Sequence, residues 1–261
     1  MIRTLVVSLF ALLVANNDAL SADLPGPSQF EYTTETGLSI SVSPFYMWLP
    51  GVNGTVGVLG SKVDVDLTPI DVVENIGDFL DALDGLYMGA GEFRYREFGL
   101  MYDVFYMDVA SAREIDRRVV SGVLDAGFSQ TMVTLAATYR FWEAEIGYLD
   151  ALAGARIWDI NMDIGANLNV GALTASDGDS WVDPIVGAKG RYDISQNTYL
   201  NGWAMIGGFG VGSDFTWDVW TNVGYQWNDW LDLYAGFRAA GADYKNGTFI
   251  WDVTQYGPTL G

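Results

Sequence analysis

The sequence predicts an all-β protein, specifically a closed antiparallel transmembrane β-barrel. Three observations predict it. The chain opens with a secretory signal, it then alternates apolar and polar residues in repeated runs of about ten residues, and its connections are short and long in turn. After residue 22 no apolar run approaches the ~18 residues that a membrane-spanning helix needs. Half of the chain (50%) is nevertheless apolar and 14% is aromatic, with 10 Trp and 14 Tyr spread along its length. Trp and Tyr at that density suit the two interfacial belts of a barrel.

The signal reads from the first residue. Arg3 supplies the positive start, Leu5 to Ala15 the apolar run, and Ala19-Leu20-Ser21-Ala22 the small residues of a cleavage site after Ser21 or Ala22. Residues 1–22 are therefore assigned as signal peptide, and 23–36, with Pro25, Gly26 and Pro27, as a periplasmic lead-in. The barrel is assigned to 37–261.

From Gly37 the pattern has period two. Leu38, Ile40, Val42, Tyr46 and Trp48 are expected on one face, with Ser39, Ser41 and Ser43 on the other. Leu86 to Arg96 sets Tyr87, Phe93 and Tyr95 against Glu92, Arg94 and Arg96, and after a turn at Glu97 the run to Asp108 turns Leu100, Tyr102, Val104 and Tyr106 outward. Thr131 to Phe141 carries Val133, Leu135 and Tyr139 opposite Thr134, Thr138 and Arg140. Glu143 to Ile164 has mixed parity, which a bulge near Asp150 would reconcile. Trp181 to Asp193, Thr198 to Ile206, Phe215 to Trp227, Leu231 to Tyr244 and a last run from Phe249 complete ten strands, or eight or twelve if one run is divided differently.

Connections after Glu97, Phe141, Ser195 and Trp227 are short, whereas 50–85, 110–128 and 165–180 read as long extracellular loops. In the first of these, Pro69 to Leu83 spaces Ile70, Val73, Ile76, Leu80 and Leu83 as one short amphipathic helix, with Thr68 as N-cap. It either caps the rim or folds inward.

Charge narrows function more than it assigns one. The chain has 33 acidic and 13 basic residues and a net charge of −20, unchanged when the signal removes Arg3 and Asp18. Such acidity disfavours nucleic acid. With no His and no Cys, imidazole-based hydrolysis, disulfides and thiol chemistry are excluded, so no enzyme, metal or cofactor is expected. Gly207 to Gly212 is followed by Ser213-Asp214 and a strand, so it is a tight connection and no phosphate loop. Asp177, Asp179 and Asp183 read as a solvated acidic loop before a cation site. By parity, Glu92, Arg94, Arg96, Asp103, Arg140, Arg156, Asp183, Lys189, Arg191 and Arg238 form a charge network in the lumen, either plugging it or lining a pore.

Trp48-Leu49-Pro50-Gly51, Gly154 to Trp158, Trp181 to Gly187, the glycine-rich Gly207 to Trp217 and the closing Tyr256 to Gly261 resemble a group of proteobacterial, porin-like outer-membrane β-barrel proteins without an assigned activity. The end at Thr259-Leu260-Gly261 departs from the terminal aromatic usual in such barrels. The resemblance implies a place in the outer membrane after export to the periplasm. Its implied partners are outer-membrane lipid, lipopolysaccharide and the barrel-assembly machinery. Its implied function is passage of small hydrophilic solutes, or, as the alternative, a closed structural or surface-interaction barrel.

Overall fold

The computed structural model describes residues 37–58, 60–116, 121–169, 171–228 and 231–261. The expected signal peptide and lead-in lie outside the described residues. The chain forms one antiparallel sheet of 13 strands: β1 (Leu38–Ser43), β2 (Met47–Trp48), β3 (Gly51–Val58), β4 (Ser61–Leu67), β5 (Leu83–Tyr95), β6 (Phe98–Asp116), β7 (Ser121–Ala144), β8 (Gly147–Leu168), β9 (Gly171–Asp193), β10 (Thr198–Gly208), β11 (Phe215–Asn228), β12 (Leu231–Asn246) and β13 (Phe249–Leu260).

Strand order follows from hairpins. From β5 to β13 each strand pairs with the next, and the ladder path runs β1-β5-β6 and onward to β13-β3-β4, with β2 beside β13. A closed barrel pairs every strand on both sides, but among the described residues β1 has a ladder only with β5 and β4 only with β3. This corrects the expected closed barrel of ten strands: the sheet has 13 strands, with β2 beside the path formed by the others, and the path ends at β1 and β4. Both flanks of the path meet one segment, since residues 38–48 pair with β5 through β1 and with β13 through β2. Without the ring of fully paired strands, the porin-like passage, the closed surface-interaction barrel and the transmembrane outer-membrane assignment lose the architecture they rested on. So do the expected lipid, lipopolysaccharide and assembly-machinery partners. No helix among the described residues is long and apolar enough to cross a membrane, which says nothing about strands.

The sheet is strongly curved. Gln130 on β7 and Gln255 on β13 exchange two side-chain hydrogen bonds of 2.8 Å although six steps separate their strands in the order. Strands so far apart touch only if one face folds onto itself. That concave face holds the core: Trp48, Phe105, Trp158 and Trp251 are buried in one cluster, and Met101, Leu152, Ile185 and Met205 in another. The convex face carries the alternate residues, with Leu100, Leu135, Val219 and Phe237 all exposed.

Several local expectations need revision. The stretches 110–128 and 165–180 are largely strand, because β6 with β7 and β8 with β9 extend as long hairpins whose ladders satisfy the backbone polar groups. Residues 50–85 likewise contain the β3–β4 hairpin. The helical segment is two short helices, α1 (Pro69–Glu74) and α2 (Ile76–Ala82), broken at Asn75. Thr68 closes a capping box with Asp71, as its side chain accepts from Asp71 N while Asp71 accepts from Thr68 N.

Two parity errors have physical causes. Pro44 and Phe45 interrupt the first run between β1 and β2, where Pro has no N–H for a ladder. Tyr46 and Trp48 are thereby turned inward and buried while Leu38 stays exposed. The second irregularity is a bulge at the level of Asp150, but it lies across the ladder in β7, between Arg140 and Trp142, while β8 runs past Asp150 without a shift. Tyr148 and Asp150 therefore keep the inward parity of Leu152 and Arg156.

Trp48→Ala should cost about 3–5 kcal/mol in chemical denaturation, the usual loss for a fully buried Trp. Met47→Ala, on the exposed parity, should cost less than about 1 kcal/mol. Equal losses would place the parity change elsewhere.

Candidate functional site

Inward parity delivers ionic side chains from many strands to the concave face. An enclosed charge is tolerated when paired and hydrogen-bonded, and two groups are built that way.

The first centres on Arg238 of β12. Its Nη2 donates to Asp103 Oδ2 at 2.6 Å and Asp218 Oδ2 at 2.7 Å, and its Nη1 donates to Tyr46 Oη at 2.6 Å. Tyr46 in turn donates to Asp103 Oδ1 at 2.8 Å. Arg156 donates to Asp218 Oδ2 at 2.7 Å and to Thr134 Oγ1 at 3.0 Å. Trp203 Nε1 gives Asp218 Oδ1 its remaining donor at 3.0 Å. Asp103, Arg156, Asp218 and Arg238 are all fully buried, and their two positive and two negative charges cancel. Burial alone would raise the Asp218 carboxyl, but Arg238 and Arg156 outweigh it and hold it below the ordinary carboxylate value. Burial likewise opposes the Arg238 charge, and Asp103 and Asp218 overcome it.

The second group joins β5, β7, β8 and β9. Lys189 Nζ lies 2.5 Å from Glu92 Oε2, and Arg94 Nη2 lies 2.8 Å from Glu92 Oε1. Arg94 also pairs with Asp150, which takes Arg140 Nε at 3.0 Å on its other oxygen. Thr138 adds a hydrogen bond to Glu92 at 2.6 Å. Burial pushes the Glu92 carboxyl up, yet Lys189, Thr138 and Arg94 together leave it below its usual value.

Of the ten residues named from parity, Asp103, Arg156 and Arg238 meet in the first group, and Glu92, Arg94, Arg140 and Lys189 in the second. Asp183 takes no cation: it accepts from Ser213 N at 2.6 Å, Ser213 Oγ at 2.8 Å and Trp181 Nε1 at 3.2 Å. Arg191 pairs with Asp193 at 2.7 Å and lies 3.7 Å over the Tyr199 ring. Arg96 is exposed at a turn with φ 55° and joins neither group. Asp150 and Asp218 were not named. Asp218 alternates with outward Val219 and Trp217, so its inward parity was readable; Asp150 was hidden by the misplaced bulge. Asp179 accepts from Tyr244 and Asn246 at 2.8 Å each. The described residues hold no cluster of acidic side chains suited to a metal.

A cavity of about 470 Å³ lies beside the second ionic group. The Glu92–Lys189 pair borders it, and Tyr148, Tyr199, Trp203, Trp220 and Tyr234 form its aromatic walls. Trp203 and Trp220 meet edge to face with centroids 4.3 Å apart, and Ser43 Oγ lies 3.0 Å from Tyr234 Oη. Two lining acceptors, Asn201 Oδ1 and Asp232 Oδ1, are buried without a donor among the described residues. Tyr199 donates to the other Asp232 oxygen at 2.9 Å. Burial raises the Asp232 carboxyl, and the Tyr199 hydrogen bond and Arg191 only partly counter it. Burial also pushes the Tyr234 hydroxyl up to about 12.

No protein-family model and no curated protein matches the chain. The expected membership in the porin-like outer-membrane family is corrected by the sheet itself, whose path ends at β1 and β4 instead of closing. Among solved structures the chain has a weak likeness to Ail, the attachment invasion locus protein of Yersinia pestis. The two are 13% identical with a TM-score of 0.31, over 85% of this chain and 96% of that one.

Arg238→Ala should destabilise the fold by about 3–5 kcal/mol at pH 7, because it strands a buried carboxylate. Arg238 is the first of the two cations that hold the Asp218 carboxyl low, so the variant lacks part of the stability that this carboxylate contributes at neutral pH and should lose less than wild type as the pH falls. Wild type should show the steeper acid slope. Its lowered Asp218 pKa contributes stability above the unfolded carboxylate value, lost as pH falls through the folded one. Parallel acid limbs in urea titrations would contradict the pairing.

Proposed function

We propose that this protein is a binding protein that holds a small ligand in the aromatic-walled cavity of its concave face and performs no chemistry on it. The cavity carries the reading: about 470 Å³, aromatic walls, and two buried acceptors without donors among the described residues. Ligand sites combine a mostly apolar hollow of roughly 300–1,000 Å³ with a few convergent polar groups. A buried acceptor left unpaired costs free energy, which a donor on a ligand recovers. The absence of His and Cys supports binding without catalysis, and the carboxylates of the two ionic groups are engaged with arginine or lysine.

Saturation-transfer NMR with a library of neutral, cationic and anionic fragments tests the proposal. Hits should compete with one another and should quench Trp fluorescence. Ala90→Leu adds apolar bulk at a cavity-lining position and should weaken the hits tenfold or more with little change in circular dichroism. Hits that are absent, or indifferent to Ala90→Leu, would refute the binding role.

A further inference from the structure

We infer that the cavity selects a neutral, polyhydroxylated ligand of mono- or disaccharide size, an inference that rests on the binding role proposed above. The two unpaired acceptors set the first condition. Asn201 on β10 stands opposite Asn222, which stands opposite Gly236 on β12, and Asp232 lies four residues earlier on β12. At ordinary strand spacing and rise, the Cα atoms of Asn201 and Asp232 are about 16 Å apart along the sheet. A single ammonium does not serve both, whereas hydroxyls distributed around a ring present donors in several directions.

The aromatic walls set the second condition. An organic cation would need free ring faces or unpaired carboxylates, but the protein's own cations already use most of the rings. Arg140 lies 3.8 Å over Tyr148, Arg191 3.7 Å over Tyr199, and Arg238 lies 5.3 Å and 5.8 Å from the Trp203 and Trp220 centroids. Lys189 lines the cavity as well. Aromatic quadrupoles engaged in this way offer little more to a second cation. An anion fares no better, because the free groups are acceptors and Glu92 and Asp232 are acidic.

A sugar or cyclic polyol meets both conditions. Its hydroxyls donate to Asn201 and Asp232, and its C–H face lies against Tyr234, the lining ring left to it by the arginines. Asp232 then acts as an acceptor and not as a counter-ion, so an amide in its place retains function.

Isothermal titration of the full chain with glucose, maltose, sucrose and myo-inositol, and with benzylamine and benzoate as charged comparators, tests this. At least one of the four neutral compounds should bind saturably. Asp232→Ala and Asn201→Ala should each weaken it tenfold or more, while Asp232→Asn, which keeps an acceptor oxygen, should change it less than fivefold. Circular dichroism of all three variants establishes that they fold, and Trp quenching of wild type by the same compounds gives a readout independent of them. Binding of benzylamine or benzoate but of no neutral compound would overturn the ligand class and leave the binding role standing. Binding of a neutral compound that survives both alanine substitutions would overturn the assigned contacts and with them the inference. Silence from all six compounds in both readouts would overturn the inference, and fragment hits in the cavity would then show the binding role unharmed.

Discussion

The guanidinium of Arg238 is the constraint on which the interior depends. A buried arginine keeps its charge only where carboxylates and hydroxyls surround it, and these come from the β1–β2 segment (Tyr46), β6 (Asp103) and β11 (Asp218). Such groups converge at hydrogen-bonding distance only for one curvature of the sheet and one register of its ladders. Shifting any of these strands by a single residue turns its side chain to the convex face. Replacing the whole group with apolar residues would remove that discrimination even where it left stability intact.

Around this centre the sheet is inverted relative to the common pattern of polar surface and apolar interior. Paired charges, Gln130–Gln255 and the indole donors lie inside, and Leu100, Leu135, Val219 and Phe237 lie outside. The inside is not simply polar. Trp158 stacks on Trp181, which stacks on Tyr244 at 3.8 Å, and this aromatic column supplies packing where ionic groups are absent. Ionic groups set geometry and aromatic layers set cohesion.

The sequence made strand parity legible wherever a run was uninterrupted. Phe215 to Trp227 and Thr131 to Phe141 alternate as their residues suggest, and seven of the named charged residues meet in the two ionic groups for that reason. What parity cannot carry is a change of phase. Pro44-Phe45 shifts it by one and turns Tyr46 and Trp48 inward, whereas the irregularity at Arg140 shifts β7 and leaves β8 in phase, which keeps Asp150 inward. Closure and strand number depend on which edges find partners, and this is a property of the chain's two distant ends that no local window contains. Polar composition read as loop at 110–128 and 165–180, where paired hairpins satisfy the same backbone groups. The cavity was the least legible feature, because Tyr199, Trp203, Trp220 and Asp232 come from three strands and share no motif.

One pairing beside the cavity has a consequence for motion. Gly190 and Gly202 stand directly opposite each other on β9 and β10, between the Lys189–Trp203 pair and the Arg191–Asn201 pair. Both belong to the outward parity, where the Leu149 side chain from β8 lies over Gly190. Between the two glycines themselves the ladder has its hydrogen bonds but lacks the cross-strand side-chain contact that stabilises neighbouring pairs. Local opening costs least at such a place. Amide exchange at Gly190 and Gly202 would therefore report the breathing of this wall separately from unfolding of the whole sheet, and would mark the side through which the interior exchanges with its surroundings.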